Sequence, residues 1–230
     1  VDRVEWRNYV GRLNLSQNYQ GIQGVGYTQV IRPAELKTHI AAIRAEGFQD
    51  YTVRPPGERT LYTSIIFLEP FSERNLAAFG YDMMSETVRG KAMRMAAESG
   101  KTAISGKVKL VQETHGKEQA GFLMYLPIYR KHQPLATPEQ RWEALQGFVY
   151  SPYRIEDLMK GMLGNRAHML DFVVFDGDEE AEGARMYASA DERAVRRTPP
   201  EMSASRTIQA YGHMWNVRLH SSPAFEADFH

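Results

Sequence analysis

The sequence predicts an α+β fold, and three observations carry that prediction. Its opening stretch, VDRVEWRNYVGRLNL, places Trp6, Val10 and Leu13 on one stripe of a helix, with Arg3, Arg7 and Arg12 around the other faces. A strand, helix and hairpin pattern follows and then recurs in the second half of the chain. Finally, 230 residues, of which 43% are hydrophobic, suffice for one large core or two domains of about 100 residues each.

Taken in order, the N-terminal stripe is narrow and suits packing either on its own domain or on a second copy of itself. YQGIQGVGYTQVI then brings Gly21, Gly24 and Gly26 before the β-prone run Val25–Ile31; the glycines of a dinucleotide loop would instead follow a strand and open a helix. From Pro33 a helix is expected, with Leu36, Ile40 and Ile43 at helical spacing and Gly47 as its stop. A β-rich pair interrupted by Pro55, Pro56 and Gly57 comes next. In AAFGYDMMSETVRGKAMRMAAESGK, Ser85 reads as a helix N-cap, Glu86 as a first-turn acid and Gly100 as the residue after the helix. Backbone N–H groups at such a helix start point outward and favour a small ligand.

AISGKVKLVQETHGKEQAGFLMYLPIYR reads as two strands around a polar turn, the second, Gly121–Tyr129, apolar enough to be buried on both faces. After the Pro-rich connector HQPLATPEQR, a strand, a turn and a helix with Ile155, Leu158, Met159 and Met162 are expected. MLDFVVFDGDEE, ARMYASAD, a polar loop near residues 198–200 and SRTIQAYGHMWNVRLHSSP complete the second set of strands.

Several function classes lose support at once. Lys plus Arg (28) balances Asp plus Glu (28), so no field gathers nucleic acid, and no polybasic run suggests a membrane surface. With zero cysteines, disulfides, thiolate catalysis and Cys-type zinc sites are excluded. His39, His115, His132, His168, His213, His220 and His230 are scattered without paired metal-ligand spacing. FDGDEEAEG departs from the calcium-loop order and reads as a solvated hairpin loop. A G-x-S-x-G elbow is absent, so an enzyme would need an unannounced catalytic set; no cofactor is expected. The chain opens without methionine, lacks a signal peptide and holds no apolar run near the roughly 18 to 20 residues that span a bilayer, so it is expected to be a piece of a longer protein.

Several blocks, in order, resemble one family: EPFSERNLAAFGYDMMSETVRGKAM, SGKTAISGKVKLVQE and GFLMYLPIYR, flanked by EWRNYVGRLNLSQNYQGIQGVGY and ALQGFVYSPYRIEDLMKGML. They are similar to the CHASE domain, the extracytoplasmic sensory module of bacterial histidine kinases, diguanylate cyclases and plant cytokinin receptors, over roughly residues 5–165. The resemblance implies a stalk helix (1–20), a membrane-distal PAS-like ligand-binding subdomain (21–147) and a membrane-proximal PAS-like subdomain (148–230), each with an antiparallel sheet. It also implies a small-molecule ligand, a homodimer formed through the stalk helix, and a place outside the inner membrane, attached by transmembrane segments that lie beyond this fragment. Output would belong to a cytoplasmic kinase or cyclase.

In cytokinin-binding relatives an aspartate four residues after the serine of the D-M-[LM]-S run accepts bonds from the adenine ring; here that position is Arg89. Arginine has only donors, in a fork suited to a carboxylate or phosphate, so an anion is expected instead. A pocket threonine of the relatives corresponds to Ser105 and a pocket leucine falls near Val111. Tyr81, Met83 and Met84 border the turn, Lys107 and Lys109 share a strand face at the mouth, and Phe122, Met124 and Tyr125 lie on the buried strand; the sequence leaves open which face of that strand lines the pocket. The bland reading of Arg89 is a surface residue pairing with Glu86 at i, i+3. Two rival functions use the same features: an enzyme acting on a small anion, and a protein-interaction module whose pocket is only core.

Overall fold

Asp2 starts the first helix: its carboxylate accepts from the N–H groups of Val4 and Glu5, both at 2.8 Å, and Glu5 returns a bond to the Asp2 N–H at 3.0 Å. The computed structural model describes residues 1–110, 119–164, 170–189 and 200–228. Helices α1 (Arg3–Leu13) and α2 (Leu15–Asn18) lead into β1 (Val25–Ile31), α3 (Leu36–Ala45), β2 (Tyr62–Glu69), α4 (Glu73–Leu76), α5 (Thr87–Ser99), β3 (Ala103–Ile104), β4 (Gly121–Tyr129), α6 (Pro138–Ala144), β5 (Leu145–Arg154) and α7 (Ile155–Leu163). The second half supplies β6 (Leu170–Asp176), β7 (Arg185–Ala188), β8 (Ser203–Ala210), β9 (His213–Ser221) and α8 (Pro223–Asp228).

Two antiparallel sheets result, one in the order β2-β1-β5-β4-β3 and one in the order β7-β6-β9-β8. This is the expected α+β architecture: an N-terminal helix and two PAS-like units. The expected division at 147/148 falls inside β5, whose residues 147–150 pair with β1 and whose full length pairs with β4. Helix α6 was hidden in the connector, although its signals are present: the Thr137 hydroxyl accepts from the Gln140 N–H at 3.3 Å, Pro138 opens the helix, and the Gln140 side chain reaches back to the Thr137 N–H.

Each face of the first sheet buries a separate cluster. Against α5 lie Ile65, Leu68, Leu123, Tyr125, Phe148 and Tyr150, packed with Ala92, Met93, Ala96 and Ala97. Against α3 lie Ile31, Tyr62 and Ile66 with Ile43 and Tyr51. A third cluster joins the two units: Ile104, Phe122, Ile155 and Met186, with Trp215 packed on it. Strand β4 is buried on both faces only near its start; Leu126 is 45% exposed.

The stalk helix uses its stripe at home. Trp6 lies 5.6 Å from the Phe67 ring, Val10 is buried, and Leu13 is half-buried. Arg3 sits over Phe48, Phe67 and Phe79 at 4.5, 5.1 and 5.3 Å while pairing with Glu46 at 2.6 Å. Of the two packings that the stripe allows, Trp6 and Val10 take the one on the chain's own first sheet.

His39, inside the α3 stripe, is a core residue that apolar spacing does not announce. Its Nε2 lies 2.8 Å from the Tyr51 hydroxyl, which lies 2.6 Å from the Ser64 hydroxyl. Burial lowers the His39 pKa, against a smaller opposing effect of Glu46, and burial raises that of Tyr51 to about 12. An unfolded histidine binds a proton near pH 6.5, whereas the folded one does so only at lower pH. The stability from a neutral His39 is thus full above about pH 6.5 and declines as pH falls below it. Urea titrations across this range should show that decline, and His39→Gln should flatten it; an equal slope in the variant would remove His39 from the effect.

Candidate functional site

The turn before α5 is fastened to β2. Gly80 N–H donates to Ile65 O at 2.9 Å, Ile65 N–H donates to Tyr81 O at 3.1 Å, and Asp82 N–H donates to Arg54 O at 2.6 Å. Gly80 has φ of 83° with the Thr52 carbonyl against its Cα, so any side chain there collides. Asp82 is fully buried: one carboxylate oxygen accepts from the Thr63 N–H at 2.9 Å and the Thr63 hydroxyl at 2.8 Å, and the other lies 3.5 Å from Arg59 Nε.

The helix start differs from the expected one. Glu86, not Ser85, is the N-cap, accepting from the N–H groups of Val88 at 2.8 Å and Arg89 at 3.0 Å. The Ser85 hydroxyl is drawn away to Asp82 O at 2.5 Å in the preceding 3-10 turn, Met83–Ser85. Burial pushes the Glu86 carboxyl up, but those two amide bonds and the Arg89 guanidinium outweigh it and hold its pKa below the usual carboxylate value.

Arg89 points inward and is only 5% exposed, which removes the reading of a surface residue. Nη1 donates to Glu86 at 3.1 Å, Nη2 donates to Lys109 O at 2.6 Å, and the guanidinium carbon lies 5.7 Å from the Tyr81 ring. Facing α5, one row of the sheet runs Gly26, Tyr150, Tyr125 and Ala103, each opposite the next in register. Tyr125 and Tyr150 are 0% and 1% exposed; burial pushes both phenol pKa values far up, and each phenol also feels the Arg89 charge.

Among the described residues, both phenol oxygens are buried without a hydrogen-bond partner, as are Arg89 Nε, Thr28 Oγ1 and the Asp82 oxygen that faces Arg59. Thr28 lies two residues beyond Gly26, on the same sheet face. Gly26 makes room for this row: a Cβ there would come within 2.5–2.6 Å of the Tyr150 ring and hydroxyl. Gly26→Ala should lower stability by about 1–3 kcal/mol through overpacking. Thermal unfolding measures this, and an unchanged midpoint would mean that the Tyr150 ring moves aside freely.

Of the sequence-predicted site residues, Tyr81, Met83, Met84, Arg89 and Tyr125 share this cluster. Phe122 and Met124 do not, because alternation along β4 sends them to the opposite face, where Phe122 stacks on Tyr153 at 4.7 Å and meets Trp215 at 5.1 Å. Ser105 has its hydroxyl engaged by backbone, donating to Gly106 O and accepting from the Leu123 N–H, each at 2.9 Å. Lys107 turns to the second unit: its N–H donates to Asp176 at 2.7 Å and its ammonium to Gly183 O at 2.8 Å. Asp176 also accepts from His213 Nε2 at 2.5 Å; burial raises its pKa, but these donors together bring it below the ordinary value. Lys107 and Lys109 line an open recess of about 440 Å³ that also includes Glu156 and Arg185. Val111 lies outside the described residues.

Tyr150 and Thr28 were not anticipated. The signal for Tyr150 was available in the alternation of FVYSPY, which puts it on the same side as Phe148, although only the register with β4 brings it beside Tyr125.

This arrangement, a sheet with a Glu-capped helix closing over inward donors and a second sheet docked beyond it, agrees with a family match. The family model of the CHASE domain matches residues 1–187. The chain belongs to the CHASE domain family. A CHASE domain is an extracytoplasmic sensory module of a membrane receptor, and that is the location and broad role of this one. Among solved structures, the periplasmic sensory domain of the Campylobacter jejuni chemoreceptor Tlp1 is similar, with a TM-score of 0.52 and 12% identity over 97% of this chain and 80% of that one. At that identity the likeness concerns the fold of the CHASE domain.

Proposed function

We infer that this domain is the ligand-sensing part of a transmembrane histidine kinase or diguanylate cyclase and that it binds a small anionic molecule between α5 and the first sheet. One observation carries the reading: among the described residues Thr28, Arg89, Tyr125 and Tyr150, on the α5 side of the first sheet, hold buried polar atoms with unspent hydrogen-bonding capacity. Each such group costs about 1–3 kcal/mol if left bare, so four together would consume much of a stability of about 5–15 kcal/mol. A bound solute with acceptor atoms supplies what they lack. The His39, Tyr51 and Ser64 chain on the other face of the sheet is different, since its members bond one another.

Arg89 also ties the site to the second unit. It holds Lys109 O, two residues beyond the Lys107 N–H that binds Asp176, and Gly106, one residue before Lys107, sits against both Val88 and Asp176. The β8–β9 turn reaches the same region, where Ile104 N–H donates to Tyr211 O at 3.1 Å and Gly212 abuts Met95 of α5. A ligand that repositions α5 shifts these contacts only as far as it prefers one arrangement over the other. A second receptor chain would meet the stalk on its outer face, where Val4 and Tyr9 are exposed, because the Trp6 stripe is occupied.

The test is native mass spectrometry of protein purified without refolding, paired with a thermal-shift screen of small acids, amino acids, purines and cytokinin-like compounds. Saturating ligand at about 100 times its dissociation constant should stabilise by about 2.7 kcal/mol. An unliganded mass together with no response to any compound would defeat the sensor-site reading.

A further inference from the structure

We propose that Phe48, Phe67 and Phe79, with the Glu46 carboxylate, form a guanidinium-binding cage that is filled by the chain's own Arg3 and latches the stalk helix to the first sheet. The walls come from three places: Glu46 and Phe48 follow α3, Ile66 and Phe67 belong to β2, and Phe79 sits in the turn before α5. Arg3 meets all of them. Its Nε donates to Glu46 at 2.6 Å, its Nη1 donates to Ile66 O, and the guanidinium carbon lies 4.5, 5.1 and 5.3 Å from the rings of Phe48, Phe67 and Phe79. A carboxylate and a carbonyl at the edge, with aromatic rings around, are the partners that a planar, delocalised cation requires. The walls also hold one another: the Phe48 and Phe79 rings are 4.9 Å apart, and Phe71 lies 6.0 and 5.7 Å from them. The cage therefore persists when the arginine leaves.

The rest of α1 is lightly held. Of its eleven described residues Val10 alone is buried, and Trp6 and Leu13 are half-buried. Trp6 Nε1 reaches Val25 O only at 3.4 Å, and Arg7 pairs with Glu69 at 3.2 Å from a side chain that is 62% exposed, where such a pair contributes little. Even the fit of Arg3 is incomplete: among the described residues its Nη2 is buried without a hydrogen-bond partner, and Arg3, Trp6 and Phe71 line a recess of about 30 Å³. An attachment of this kind opens locally while the sheet stays folded. Opening frees the Trp6 and Val10 stripe that the closed helix spends on the sheet. The turn before α5 connects the latch to the other face. Phe79 packs in the cluster beside α3, Tyr81 packs in the cluster beside α5 near Arg89, and Gly80 between them is fastened to Ile65 O. A shift of this turn thus moves one wall of the cage, and the stalk helix responds to it.

The experiment is hydrogen exchange of the domain, wild type against Arg3→Ala, together with calorimetric titration of both by N-ethylguanidinium chloride, with ethylammonium chloride as comparator at matched ionic strength. Exchange across α1 should rise at least about tenfold in Arg3→Ala, the factor that one charge-assisted hydrogen bond supplies, while β1, β2 and α3 keep their wild-type rates. N-Ethylguanidinium should bind Arg3→Ala more tightly than ethylammonium does, and should not bind the wild type, whose cage is filled. Glu46→Gln, at an exposed position, should free α1 as well and gives the same reading if Arg3→Ala does not fold. Unchanged exchange in α1 would overturn the latch, as would a rise shared equally by the whole first sheet, which is general destabilisation. Release of α1 without N-ethylguanidinium binding to Arg3→Ala would overturn the cage as a guanidinium site. None of these measurements touches the residues beside α5, so the sensor-site reading is decided separately.

Discussion

Arg89→Ala is expected to abolish the ligand-induced rise in melting temperature and to lower the stability of the unliganded domain by about 2–3 kcal/mol. The stability estimate comes from two charge-assisted bonds, to Glu86 and to Lys109 O, each ordinarily worth about 1.5–3 kcal/mol, discounted because Glu86 is one-third exposed. For a chain of this length about 2–4 °C of melting temperature follows from each kcal/mol. Arg89→Lys separates the two effects. It keeps a charge near Glu86 but lacks the planar fork and Nε, so stability should partly return while the ligand response stays lost. Scanning calorimetry with and without ligand reads both, and a ligand response that survives in Arg89→Ala would remove this residue from the site.

Asp82→Ala is expected to be the more damaging change to the fold, at about 3–5 kcal/mol. It strands the buried N–H and hydroxyl of Thr63, leaves Arg59 facing an uncharged interior position, and frees the turn that delivers Met83, Met84 and α5. Asp82→Asn retains one acceptor for Thr63 and should lose distinctly less. Equilibrium urea unfolding gives the comparison; a loss below about 1 kcal/mol in the alanine variant would mean that solvent replaces the carboxylate and that the turn is not held as described.

Much of the fold was legible in the chain because its hydrophobic spacing and its structure agree. Trp6 and Val10 lie on one helical stripe and both pack on the sheet, and the two β-rich halves became two sheets. Misreadings had local causes. Ser85 looked like a cap by residue type, yet tertiary anchoring of Asp82 moved the helix start by one residue and left a glutamate to cap it. That β5, beyond the proline-rich connector, pairs backward with β4 and β1 depends on contacts distant in sequence that its own residues do not display.

The site was legible only where one residue type carried the chemistry. Arg89 stood out as a donor in place of an acceptor, and Tyr81, Met83 and Met84 followed from its turn. The faces of β4 could not be assigned, since its first residues are apolar on both sides; structure puts Tyr125 with Arg89 and sends Phe122 and Met124 to the joint between units. That two phenols and a threonine hydroxyl are left without partners is a property of three strands in register, and no single segment displays it.

A high-resolution crystal structure of the domain, purified without refolding, tests the central claim most directly. The account predicts non-protein density within hydrogen-bonding distance of Arg89 Nε and of the hydroxyls of Tyr125 and Tyr150. Those three groups bonded instead to one another or to other protein atoms, with no solute among them, would contradict it.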